Sequence, residues 1–345
     1  MSAPSWIVRE AGEGDFERVR ELYRTVWGFN RPISYDRWRY FDMPDGPAPL
    51  TVAFDGEKIV GSHGLFPVRM RLGSEVVLAS QLMDTQTHPN YRGQGVFVAT
   101  ALACYEIAAR RGYEFIYALP NPLSYPGFVK HMNWDSPGGI GHWVRPVRPS
   151  RHPRMPGALG PIANAVAGLW PKGGSRGLDV AVAPPTEEER ATLLADWCPG
   201  KRLCRVERTP QWYAWRYADN AAMGYEWIVA RRAGKIAAAG VLGMKDVAWE
   251  GGADGRAHIV ELLGYDRDGL SAVLAAMIDR ADSRGAWLIE TLTDIDPIVA
   301  VLRRAGFVRK GAPPLIVRRL NARNLDANVH LIDSWRFMGG DVDTF

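Results

Sequence analysis

The sequence predicts an α/β protein built from two copies of one mixed-sheet fold. Three observations carry this. The tripeptide Trp-Arg-Tyr occurs at 38–40 and again at 215–217, an offset of 177 residues. The same offset lays Val52-Ala53 on Val229-Ala230 and Lys58-Ile59 on Lys235-Ile236. Each copy then repeats one order of strand and helix patterns, and self-similarity of this kind marks duplication.

Composition agrees. The 345 residues suit two domains of about 150–170 residues. A hydrophobic content of 47% against 23% charged is enough for a sizeable core. A net charge of +4 is too small to imply nucleic acid, and it suits an anionic small molecule. Three cysteines, Cys104, Cys198 and Cys204, lack metal-ligand spacing, so reduced thiols, a cytoplasmic home and no metal are expected. The start "MSAPSWIVREAGEGDF" has no signal-peptide pattern. The run "PIANAVAGLW" is too short to span a bilayer, so no stable membrane insertion is expected.

The elements follow in order. "WIVREAGEGDFERVRELYRTVWG" reads as strand then helix. "TVAFDGEKIVG" is a hairpin turning at Asp55-Gly56. A long strand pair ends in "ASQLMDTQT", the fourth strand, and the loop "HPNYRGQG" leads into a helix. That helix carries the apolar stripe Phe97, Ala101, Cys104 and Ala108. Strand "YEFIYALP" and a helix closing at Trp134 complete the copy. In the second copy, "IVARRAGKIAAAG" is the hairpin and "AHIVELLG" the fourth strand. Past its loop the offset drops to 173, matching Arg111-Gly112 to Arg284-Gly285 and Trp134 to Phe307. Four residues are therefore missing between its fourth strand and the next helix, where the loop is "YDRDG". The expected units are 1–147, a Pro/Gly-rich linker 148–178, a degenerate copy 179–320 and a tail 321–345. From Ser136 to Leu178 there are six bases and no acid: Arg145, Arg148, Arg151, Arg154, Lys172 and Arg176. They read as an anion-attracting patch or as a solvated linker.

The first copy's loop is the strongest chemical signal. A helix start offers unpaired N–H groups and a positive dipole end, suited to phosphate. Gly93 and Gly95 let the backbone approach an anion, and Arg92 adds a forked donor. The pattern is neither a dinucleotide fingerprint, since Val98 holds the third glycine place, nor a P-loop, since Gly-Lys-Ser/Thr is absent. A pyrophosphate cradle of another type is the remaining reading.

The loop resembles the acetyl-CoA pyrophosphate loop of the GCN5-related N-acetyltransferases (GNAT). Arg92 and Gly95 match the family pattern, and Phe97 departs from it, standing where Gly or Ala is usual. Element order extends the resemblance over roughly Trp6–Val147, and the second copy resembles the same fold without its cofactor loop. A tandem GNAT fold with a degenerate second domain is thus implied. So is acetyl-CoA held by Arg92, Gly93, Gln94, Gly95, Val96 and Phe97. "ALPNPLSYPGFVKHMNW" resembles a bacterial tandem subgroup, which adds Asn121 and Ser124 on the cofactor side. Thr85, Gln86 and Thr87 would pair with pantetheine like an added strand.

Catalytic candidates come with departures. Many members place a Tyr five residues before the aromatic that closes the last helix; here that position is Val129. Tyr125, one turn earlier, is the nearest acid. Asp84 is a candidate base, although Glu261 at the matching place in the second copy suggests a shared structural task. Alternation puts Gln81, Met83, Thr85 and Thr87 on one face of the fourth strand and Asp84, Gln86 and His88 on the other, unless a bulge intervenes. Some tandem members bring their C-terminus into the active site, which makes Asp341, Asp343 and the terminal carboxylate of Phe345 further candidates. The alternative is a frayed tail. The implied activity is acetyl transfer to a small-molecule amine, with the acceptor unread among amino sugars, aminoglycoside-like amines and peptide amines. A non-catalytic acyl-CoA-binding sensor is the other reading. No nucleic acid partner is expected, and a homo-oligomer stays open.

Overall fold

A computed structural model of the chain describes residues 5–174, 177–195, 203–244, 255–264 and 266–343. In chain order, the first copy forms β1 (Ile7–Glu10), α1 (Phe16–Trp27), α2 (Ile33–Tyr40), β2 (Leu50–Asp55), β3 (Lys58–Leu72), β4 (Glu75–Thr87), α3 (Val96–Arg110), β5 (Phe115–Ala118), α4 (Tyr125–His131), β6 (Asp135–Gly139) and β7 (His142–Pro146). Then come α5 (Gly160–Gly168), β8 (Asp179–Ala181), α6 (Glu187–Ala195), β9 (Cys204–Val206), α7 (Pro210–Tyr213), β10 (Glu226–Arg232), β11 (Lys235–Gly243) and β12 (Arg256–Leu263). The chain ends with α8 (Arg267–Ser283), β13 (Leu288–Leu292), α9 (Asp296–Arg304), β14 (Val308–Gly311), β15 (Pro314–Arg319) and a tail with two short 3-10 turns.

The strands form two sheets of the same plan. One runs β1-β2-β3-β4-β5-β15-β6, with β9 on the far end of β3; the other runs β8-β10-β11-β12-β13-β7-β14. Each sheet has a single parallel pair among its described ladders, β4 with β5 and β12 with β13. Pro67 lies inside the long β3. Leu65 turns its N–H outward to the Pro49 carbonyl, so the N–H that Pro67 lacks would point the same way, beyond the reach of β2.

The sheets do not divide at residue 147. β7 leaves the first copy and inserts between β13 and β14, while β15 leaves the second and inserts between β5 and β6. The physical reason is symmetry: each copy offers the same gap between its fifth and sixth strands, so either copy's last strand satisfies either gap.

The largest apolar cluster is contributed by both copies. The repeated tripeptides meet at its centre. Trp38 and Trp215 stack at 4.7 Å with ring planes 10° apart, and each indole N–H donates to the other's backbone carbonyl, at 2.7 and 3.3 Å. The tail threads this junction instead of fraying. Trp335, Phe337 and Met338 are buried, and Trp335 packs on Phe115 and Tyr117.

Four of the six bases are committed to the protein. Arg145 is buried and donates to the carbonyls of Ala305 and Trp170. Arg148 and Arg151 both pair with Asp282 on α8, and Lys172 pairs with Asp279. Arg154 is exposed, and Arg176 lies outside the described residues.

Candidate active site

The parallel ladder of β4 with β5 pairs only Ser80 with Ile116 and Gln81 with Tyr117. β4 runs on to Thr87, so a wedge opens between the two strands beyond Gln81. At its mouth β4 bulges. Pairing with β3 passes from Gly64–Met83 to Ser62–Gln86, so Asp84 and Thr85 together face His63. Asp84 takes φ +42°, uncommon for a residue with a side chain. The bulge overturns the simple alternation. Met83 and Asp84 turn to the α1–α2 side, whereas Thr85 meets His63, whose ring lies 5.2 Å from that of Tyr105 on α3.

Asp84 is gripped by three donors. Arg31 holds both its oxygens at 3.0 and 2.7 Å, Arg39 reaches it at 3.2 Å and the Tyr40 hydroxyl at 2.6 Å. Burial pushes its pKa up, but Arg31 and Arg39 outweigh burial and hold it well below the usual carboxylate range. Such a carboxylate is a weak proton acceptor at neutral pH. Its expected role as base is corrected on that ground: the grip fixes the bulge.

The second copy repeats the arrangement. Arg208, Arg216 and Tyr217 stand at the places of Arg31, Arg39 and Tyr40, each 177 residues on. Arg208 and the Tyr217 hydroxyl bond Glu261, the counterpart of Asp84, at 3.1 and 2.8 Å. The tail links the two clusters. Asp341 accepts from Arg208 at 2.7 Å, and Asp343 accepts from Arg39 and from Gln81, each at 2.5 Å. Arg216 binds the tail carbonyls of Gly340 and Val342. Burial, reinforced by Glu261 and opposed by Arg208, pushes Asp341 up. Asp341 therefore belongs to the second copy's cluster. Asp343 comes to the edge of the first copy's wedge, but is already bound to a guanidinium. Neither geometry suits the expected base. Phe345 lies outside the described residues.

The loop forms a concave start to α3. Gly93 and Gly95 both take left-handed φ, +76° and +83°, and Arg92, Gly93, Gln94 and Gly95 are exposed. The first helical bond is Ala99 N–H to the Gly95 carbonyl at 3.0 Å, so the N–H groups of Val96 to Val98 precede it at the helix mouth. Val96 is buried and anchors this end. Phe97 turns inward, 5.2 Å ring to ring from Phe128, against the face of Gly127. The departure from a small residue is thus absorbed by packing and leaves the mouth open.

The α4 candidates are less alike. Asn121 is exposed, and its side-chain oxygen accepts from the N–H groups of Leu123 and Ser124, shaping the turn into α4. Tyr125 is half-buried beside the cluster that holds Phe128, and Val129 is half-buried there too. His63, a lone histidine in the sequence, would be expected to be a satisfied polar residue and not a catalyst. It is fully buried, and its Nε2 has no partner among the described residues. Burial pulls its pKa down to about 3, so it is neutral.

In the second copy the matching helix start is occupied. Asp266 caps α8 by accepting from Asp268 N–H at 3.1 Å, and Arg232 pairs with Asp266 and Asp268. Its wedge is plugged as well. Gly340 lies so close that a Cβ there would sit 2.4 Å from the Tyr217 hydroxyl and 2.6 Å from the Glu261 carboxylate. No group of side chains able to hold a metal ion occurs among the described residues.

Residues 7–136 match the model of an acetyltransferase (GNAT) domain family. The chain carries a GNAT domain. Its whole architecture is a tandem GNAT fold. A tandem GNAT protein from the clavulanic acid biosynthesis pathway is similar over 92% of this chain and 100% of its own, with TM-score 0.61 and 14% identity. A GCN5-related N-acetyltransferase from Anabaena variabilis shares 10% identity at TM-score 0.63, covering 92% of this chain and 73% of that one. One from Kribbella flavida shares 14% at TM-score 0.60, over 92% and 71%. No curated protein matches the sequence. At these identities the likeness is one of fold. No helix among the described residues is long and apolar enough to cross a membrane.

Proposed function

We propose that this GNAT protein is an acetyl-CoA-dependent N-acetyltransferase whose first copy holds the one cofactor. The supporting observation is the pairing of a wedge with a glycine-shaped helix mouth that no side chain caps, in the same copy. Pyrophosphate would rest on the backbone of Arg92 to Phe97, with the Arg92 guanidinium as counter-charge. Pantetheine would lie along Thr85 to Thr87, with Asn121 and Ser124 across from it, and its thioester would meet the bulge. Asp84 and Asp343 are both bound to arginine, so this reading gives the amine's proton to solvent. Tyr125 remains the candidate donor to the departing thiolate. The acceptor is a small-molecule amine whose class the site does not name.

One observation favours a second reading, a non-catalytic acyl-CoA sensor: Val129, set among apolar side chains, cannot donate a proton. Turnover separates the two. With acetyl-CoA and a panel of amino sugars, aminoglycosides and peptide amines, the wild type is expected to release free CoA in an amine-dependent manner. Arg92→Glu and Gly95→Val are expected to lose cofactor binding about tenfold or more while keeping the wild-type circular dichroism. Binding without transfer to any amine would select the sensor. Wild-type affinity in both variants would reject the cofactor site itself.

A further inference from the structure

The linker helix α5 is built the wrong way round for a helix on a globular protein. Its small residues face inward and its large apolar residues face out. Gly160 and Ala167 are buried. Asn164 donates to the Ser150 hydroxyl at 2.9 Å and accepts from the Ser150 N–H at 3.0 Å. A Cβ at Gly160 would sit 3.0 Å from that of Ser150, so the helix is drawn in as closely as the glycine allows. These contacts fix which side is outward. Leu159, Ile162, Val166 and Leu169 recur at spacings of three and four, and so share the other side. They are 53%, 64%, 52% and 83% exposed. Single exposed apolar residues are ordinary, but a contiguous row marks a binding surface.

Charge says what kind of surface it meets. From Ser136 to Leu178 the chain has no acid. Arg148 and Arg151 share one carboxylate, Asp282, and Lys172 takes Asp279. Arg154 is exposed. Four bases thus meet two acids. Arg148 and Lys172 line one cleft with Ala165 and Gly168, which sets these bases alongside the helix. An apolar row flanked by surplus positive charge complements an anionic bilayer, which is apolar within and negative at its surface. A second copy of this chain fits worse, because a two-fold contact through α5 would set the two basic margins against each other.

We propose that α5 is a peripheral anchor that lies in the plane of an anionic phospholipid surface, with its outward row at the acyl boundary and the neighbouring bases at the phosphates. The helix has nine residues, too few to span a bilayer, so it rests on one. With four apolar side chains the attachment is weak and reversible. The inference does not depend on the cofactor reading.

Co-sedimentation of the full chain with vesicles tests it. Vesicles of phosphatidylcholine mixed with phosphatidylglycerol are expected to bring the chain down, and phosphatidylcholine alone far less. Ile162→Asp and Leu169→Asp alter exposed positions, so each is expected to keep the wild-type circular dichroism and thermal midpoint while weakening vesicle binding about tenfold or more. Arg154→Glu is expected to weaken it about fivefold or more. Salt at about 0.5 M should weaken wild-type binding as well, and Arg92→Glu should leave it unchanged. No binding, equal binding to neutral vesicles, or binding indifferent to both apolar variants would overturn the proposal. So would a two-chain mass by light scattering that Ile162→Asp returns to one chain, because the row would then be a contact between copies.

Discussion

Single residues in this protein are explained by the charges they meet. Asp84, an obvious acid at a candidate site, is a structural anchor because Arg31, Arg39 and Tyr40 surround it. The presence of Glu261 one repeat away was the legible sign of that task, and Arg208, one repeat after Arg31, was a second sign in the same offset. The positive φ at Asp84 had no sequence signal, since the bulge is set by pairing with His63 across the sheet. His63 yields a pH prediction. Buried and neutral, it takes a proton in the fold only near pH 3, whereas the unfolded chain takes one at about 6.5. The unfolded state thus binds more protons, and stability falls as pH drops below about 6.5. The loss from this residue should be about 1.4 kcal/mol per pH unit through that window. Urea unfolding of His63→Gln between about pH 6.5 and 4.5 is expected to show a correspondingly shallower slope. Parallel curves for variant and wild type would show that the ring is not held neutral.

At the scale of elements, helix starts and wedges decide what each copy can bind. The α3 mouth is open because Gly93 and Gly95 curve away from it; the α8 mouth is closed by Asp266. The shortened "YDRDG" loop made that difference readable in sequence. The tail was not readable in this way. Its glycines and aspartates look like a polar end, yet Gly339, Gly340 and Asp341 are buried, because Arg208 and Arg216 sit opposite them. Gly340→Ala tests this. Its new methyl would strike Tyr217 and Glu261, both held by hydrogen bonds, so a loss of about 1–3 kcal/mol is expected. Denaturant titration reads it, and unchanged stability would mean the tail does not plug the second wedge.

The whole molecule is one unit made of two copies. The duplication was legible through the 177 offset, which recurs as the stacked tryptophan pair at the core. The strand exchange was not, because β7 and β15 satisfy the same kind of gap whichever sheet they enter. Exchange ties the copies together, so the second can lose cofactor chemistry and still support the first. Asymmetry of binding within a symmetric fold is the central claim. Calorimetric titration of acetyl-CoA into the wild type tests it most directly. One site per chain is expected, and that site should vanish in Arg92→Glu. Two equivalent sites, or one that survives the substitution, would contradict the account.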